Sequence, residues 1–143
     1  MGEHTFTVEE VAKKLNVTPR TLHYYEEMGL ISPVSRTVGG HRLYDDQVVA
    51  KLFRILQIKD SLGTSLQEIR EIMSSEDAME RLKESYHEIA SEQERQLMMD
   101  EYSSHLVQII GKIDEKIANL SEMKKTFTDR LHRVIEIKND NRS

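Results

Sequence analysis

The sequence predicts a mainly α chain in two parts: a small helix-turn-helix unit with a β-hairpin, then helical segments that end in one long coiled-coil helix. Three observations predict it. Of the eight Gly and Pro residues, six lie before residue 41, so the first part is punctuated by turns and the second is not. Two capped helical patterns, separated only by Asn16-Val17, precede a Gly39-Gly40 pair set between short strand-like runs. Between positions 106 and 134, nine residues are spaced alternately by four and three, which is a heptad seam.

Thr7-Val8-Glu9-Glu10 forms a capping box, and Val8, Val11, Ala12 and Leu15 make one apolar face of a first helix over residues 7–15. Thr18 caps a second helix and Pro19 occupies its first position, where a missing N–H costs nothing. That helix covers residues 19–28, with Leu22 and Tyr25 turned toward the first. Gly29 suits a left-handed cap, followed by apolar Leu30. Pro33 ends the helical stretch. Residues 34–37 and 41–44 pair as strands, with positive φ expected at Gly39 and Gly40. Residues 18–44 thus have the outline of a winged helix-turn-helix, which holds a helix in a DNA major groove and a β-wing on the adjacent backbone.

Asp45 caps a third helix over residues 46–62, with Val48, Val49, Leu52, Phe53, Leu56 and Ile58 as its buried stripe and Gly63 as its stop. Ser65-Leu66-Gln67-Glu68 opens a short fourth helix whose Leu66, Ile69, Ile72 and Met73 face inward. A further helix over residues 77–98 carries Met79, Leu82, Tyr86, Ile89 and Ala90 as one stripe.

The seam comprises Leu106, Ile110, Ile113, Ile117, Leu120, Lys124, Phe127, Leu131 and Val134, with a positions at 110, 117, 124 and 131. Carried backwards, the same frame puts Gln96 and Ser103 at a, so a bend is expected near residues 98–104. Full burial of one such apolar side chain is worth about 1.5–3 kcal/mol. The seam therefore calls for a partner, and an identical chain is the simplest. Folding back onto the first part is the alternative. Lys124 at an a position either sets register or lays its stem along the edge. The domain division read from these patterns is 1–75, 76–104, 105–138 and a polar tail at 139–143.

Composition excludes several classes. With no Cys there is neither a disulfide nor a thiolate metal site. No apolar run approaches the ~18 residues that span a bilayer, and no signal-peptide core is present, so a cytoplasmic protein without membrane contact is expected. The net charge of −5 lies mostly in the second part: residues 1–75 hold nine Lys/Arg against ten Asp/Glu, and residues 76–143 hold eleven against fifteen. Phosphate binding follows local basic clusters rather than such totals. No nucleophile–base pair or Gly-rich phosphate loop signals catalysis, and no cofactor is expected.

The ordered run RTLHYYEEMGLISP, then GGHRLY, a helix, and S-x-x-E-I resembles the MerR family of bacterial transcriptional regulators, over about residues 5–75. The terminal heptad helix is similar in kind to that family's dimerisation helix. The resemblance implies an antiparallel homodimer that sets two reading helices on successive major-groove faces of a near-palindromic operator in double-stranded promoter DNA. It also implies bending and untwisting of an overlong promoter spacer until RNA polymerase engages both elements.

Weighed singly, Arg20 reaches a base edge or phosphate, and Thr18 and Thr21 lie on the same helix start. Tyr24 donates to a phosphate; Tyr25 either does the same or is core. His23 stands where the resemblance leads one to expect Arg, and His41 where an aromatic is usual. Arg36 and Arg42 flank the wing turn and Tyr44 follows it. Lys13, Lys14, Arg54 and Lys59 are candidate backbone contacts, against the plain reading of solvated cations. Glu26 and Glu27 are expected to point away from phosphate.

Asp100, Glu101 and His105 form the one local O/N grouping, a weak signal for a metal. Since the sequence ends at Ser143, shortly after the seam, no further ligand-binding domain is expected. Residues 76–104 are read either as a small effector pocket or as a packing helix, the latter being favoured. The alternatives to promoter regulation are an architectural, excisionase-like DNA-bending protein and a coiled-coil adaptor.

Overall fold

The computed structural model describes residues 4–89 and 91–142. Its elements are β1 (Thr5–Thr7), α1 (Val8–Leu15), α2 (Pro19–Glu27), β2 (Ser35–Arg36), β3 (Arg42–Asp45), α3 (Asp46–Leu62), α4 (Leu66–Tyr86) and α5 (Glu92–Arg142). Contacts divide the chain into two units, Met1–Met73 and Ser74–Ser143, which are taken in turn.

In the first unit each helix begins and ends where its caps dictate. Thr7 accepts from the Glu10 amide at 3.2 Å, the N-cap half of a capping box, and its hydroxyl donates to the Glu10 carboxylate at 3.2 Å. Asn16 takes φ 56° after α1, and Val17 N–H donates to Ala12 O at 2.9 Å. Gly29 does the same after α2 at φ 74°, with Leu30 N–H donating to Tyr25 O. Both are Schellman closures, and the apolar contact that usually accompanies one is supplied by buried Leu30 and Tyr25.

The wing differs from the expected hairpin by one strand. β3 is central: it pairs antiparallel with β2 (Ser35↔Leu43, Arg36↔Arg42) and with β1 (Thr5↔Asp45, Phe6↔Tyr44, Thr7↔Leu43). Three residues are too few to show strand periodicity, so β1 left no sequence signal. Of the two turn glycines only Gly40 has positive φ, at 83°. A turn closed by Gly40 N–H on Thr37 O puts Gly39 in an ordinary conformation.

The core joins Phe6, Val8, Val11, Leu22, Tyr25, Leu30, Ile31 and Tyr44 to Val49, Leu52, Ile55 and Ile58 of α3 and Ile69, Ile72 and Met73 of α4. On α3, Phe53 is 53% exposed while Ile55 is fully buried. The expected stripe included the first and omitted the second. The observed 49, 52, 55, 58 row follows a steady step of three, which turns Phe53 to the outside.

The second unit corrects two expectations. The fourth helix is not short: α4 runs unbroken to Tyr86. The break then falls between Tyr86 and Glu92, not near 98–104, so no separate helix over residues 77–98 forms, and α5 is a single helix of 51 residues. Ser91 caps it, accepting from Glu94 N–H at 3.4 Å, and Arg95 secures the join by donating to Ile89 O at 2.8 Å. Ser91-x-x-Glu94 is itself a capping-box pattern. A shift in apolar phase turns the buried face around a helix without breaking its backbone bonds; a cap does break them. Two faces accordingly share α5. Arg95, Met98, Tyr102, His105, Ile109, Lys112 and Lys116 form a partly covered stripe, whereas most of the heptad seam lies open. Of the expected 79–90 stripe, Met79 is buried and Leu82, Tyr86 and Ile89 are partly so; Ala90 lies outside the described residues.

Candidate nucleic-acid interface

The start of α2 exposes Thr18 and Arg20, with Thr21 partly covered and Tyr24 47% exposed. Leu22, one residue over, is 0% exposed; its anchorage fixes which way the other side chains face. The Thr18 and Thr21 hydroxyls hydrogen-bond each other at 2.9 Å, and Thr18 also accepts from Thr21 N–H. A groove of about 410 Å³ runs beside this helix, lined by Arg20, Tyr24, Lys59, Thr64, Leu66 and Ile69 among others. Lys59, distant in sequence, thereby lines the same groove as Arg20.

A second groove lies between the start of α2 and the wing, lined by Pro19, His23, Thr37, Gly40, His41 and Arg42 among others. The wing is bound to α2 by one carboxylate. Glu26 ion-pairs with Arg42 Nε at 2.6 Å, lies 3.9 Å from Arg36, and accepts from the Tyr44 hydroxyl at 3.4 Å. Arg42 also meets His23 Nε2 at 3.4 Å, and Arg36 donates to Gly40 O at 3.0 Å.

Glu26, expected only to point away from phosphate, is the residue that gathers the basic groups of the wing. Sequence reading missed it because its partners lie 10, 16 and 18 positions away with no periodic link. An acid in the last turn of a Gly-capped helix reads locally as a solvated charge.

The other expected contacts divide. Lys13, Lys14, Arg54 and Lys59 are exposed, although Lys14 Nζ sits 4.8 Å over the Phe6 ring and Arg54 donates to Gln57. Arg36 and His41 are exposed and Arg42 is half-buried. Tyr25 and Tyr44, at 2% and 1% exposure, belong to the core. Their rings are part of the apolar cluster at the centre of the first unit, which removes them from a surface contact list. Asp100 accepts from Gln96 at 3.2 Å, and His105 lies 4.0 Å from Glu101; among the described residues no three His, Asp or Glu gather around one point.

Burial, then the neighbouring Glu26 charge, pushes the Tyr44 phenol above its ordinary value of 10.0. The folded state thus holds the phenolic proton more tightly than the unfolded chain. The stability this contributes is fully present below pH 10 and is lost as pH rises through the raised value. Chemical denaturation at stepped pH should show wild-type stability falling more steeply above pH 10 than that of Tyr44→Phe; parallel curves would remove Tyr44 as the cause.

Comparison with known proteins places these elements. The family model described as MerR HTH family regulatory protein matches residues 6–76. The chain is 36% identical over 118 residues to the HTH-type transcriptional regulator YfmP of Bacillus subtilis (strain 168), covering 82% of this chain and 84% of that protein. It is 33% identical over 125 residues to the nodulation protein NolA of Bradyrhizobium elkanii, covering 85% of this chain but 57% of that one. Among solved structures, a MerR family transcriptional regulator from Bacillus cereus aligns at 30% identity and a TM-score of 0.48, over 87% of this chain and 84% of that one.

Proposed function

The chain belongs to the MerR family of helix-turn-helix regulators and is a DNA-binding transcription regulator; on that premise we propose that it binds a near-palindromic promoter operator as a homodimer and distorts it. Helix α2 enters the major groove, with Thr18 at the helix start, Arg20 and Thr21 at base edges or nearby phosphates, His23 in mid-helix, and Tyr24 on a phosphate. The wing lies on the flanking backbone, touching it through Arg36 and His41. Arg42, held by Glu26 and His23, orients the wing more than it contacts DNA. Lys13, Lys14, Arg54 and Lys59 add backbone contacts. Pairing of α5 through its seam spaces the two reading helices, and fitting both to one duplex bends and untwists the promoter presented to RNA polymerase.

One observation carries this reading: exposed Arg20 and Tyr24 on a helix that is tied directly to the wing through Glu26. Reader and wing then move as one body, as recognition of a groove together with its adjacent backbone requires. Among the described residues no helix is long and apolar enough to cross a membrane, which fits work on cytoplasmic DNA.

The test is a salt titration of binding to an operator selected from a random duplex pool. Log affinity should fall linearly with log salt at about −0.9 per neutralised phosphate, or roughly 10³-fold between 50 and 200 mM for about six contacts. A flat response overturns the reading.

A further inference from the structure

The heptad seam leaves its register open, but its flanks do not. In the heptad frame the e and g positions beside the seam include five exposed or partly exposed apolar residues: Val107 and Ile135 at e, and Ile109, Met123 and Ile137 at g. They stand at the two ends and near the middle, separated by Asp114, Lys116, Ser121, Thr128 and Arg130. Apolar side chains left open, or half open at Ile109, in this pattern call for apolar partners at matching places on the other helix.

Only a few alignments bring two copies of the seam together. A parallel pair puts Lys124 against its own copy and sets g beside the following e. Ile109 then meets Asp114, Met123 meets Thr128, and Arg130 meets Ile135. An antiparallel pair with Ile113 opposite Lys124 pairs Ile109 with Arg130, Val107 with Thr128, and Lys116 with Met123. An antiparallel pair with Leu120 opposite Lys124 places the two-fold axis at residue 122 and joins all five apolar flank residues to one another. Val107 then meets Ile135, Ile109 meets Ile137, and Met123 meets Met123. Both antiparallel alignments bury the same number of seam positions, so the flanks decide between them. The like-charged Lys116 and Arg130 also face each other, which weakens the quarter points and leaves the ends and the centre to hold the pair.

We propose that two copies of this chain pair antiparallel along α5 with Leu120 of each facing Lys124 of the other, so that Met123 packs on its own copy across the two-fold axis. This rests on the homodimer reading above and fixes its register. Every a–d layer then follows, from Ile110 against Val134 at the ends to Ile117 against Phe127 further in. The layer at Leu120 accommodates Lys124 because its stem lies along the leucine and its ammonium reaches solvent. The centre at residue 122 also sets how far apart the two reading helices are carried.

The chain has no cysteine, so single-Cys variants report cleanly. A disulfide needs Cα atoms within about 7 Å, whereas a slip of one heptad moves the partners by about 10 Å along the axis. Leu120→Cys mixed with Lys124→Cys, refolded together and mildly oxidised, should give mostly covalent heterodimer. Two controls, Ile113→Cys mixed with Lys124→Cys and Lys124→Cys alone, should stay reduced. Sedimentation of each reduced variant checks that it is dimeric. Cross-linking of the Ile113 mixture overturns this register in favour of the shifted one, and cross-linking of Lys124→Cys alone overturns it in favour of a parallel pair. Monomers in sedimentation of the wild type sink the dimer reading itself.

Discussion

Replacing Ile117 and Leu120 together with Asp should convert the protein to monomers and lower operator affinity by about 10²–10⁴-fold, the factor by which linking two sites raises binding over either alone. The two side chains are 55% and 65% exposed in the single chain, so the substitution removes little packing within one copy. It instead puts four carboxylates into the paired seam, where desolvated like charges oppose association. Helical circular dichroism should survive, since the first unit and most of α5 are untouched. Sedimentation and an operator titration on the same sample check both parts. A variant that remains dimeric would show that the seam is not the interface.

The second large effect is on stability. Leu22→Ala should cost about 2–5 kcal/mol, through lost burial and the cavity left behind. That is a large part of the 5–15 kcal/mol by which domains are ordinarily stable. Leu22 is wholly buried on the inner side of α2 while Arg20 and Tyr24 stand on its outer side. Loosening the anchor therefore also frees the reading face to rotate. Denaturation of the variant should shift by that amount, and its operator affinity should fall even where it remains folded. A loss under 1 kcal/mol would mean that Leu22 does not hold the helix.

Much of the first unit was legible because its signals are local. A cap needs a side-chain oxygen within three residues, a left-handed turn needs Gly or Asn at one position, and a buried face repeats every three or four residues. Thr7, Thr18, Asp45, Ser65, Gly29 and Gly63 mark their boundaries for these reasons. The long second unit was harder. There the change of apolar phase looked like a bend, and the actual stop at Ser91, equally local, was passed over.

The interface was legible only in part. Arg20, Tyr24 and Arg36 stand at the surface where helix and hairpin patterns put them. Tyr25 and Tyr44 carry the same phenol as Tyr24, and no local feature distinguishes a phenol in the core from one in water. The three-residue strand β1 was silent because pairing with β3, not its own pattern, makes it a strand.

By itself the sequence determined the first three helices and their order, the place of the wing, and the existence of an unsatisfied seam on the last helix. Each follows from interactions that span at most a few residues or repeat with a fixed period. Tertiary structure alone decided that Glu26 binds Arg42, Arg36 and Tyr44, that Lys59 and Arg20 line one groove, and which tyrosine rings are buried. The Glu26 contacts join residues 10 to 18 positions apart, and their strength depends on distance and burial, which take values only once the chain has closed on itself.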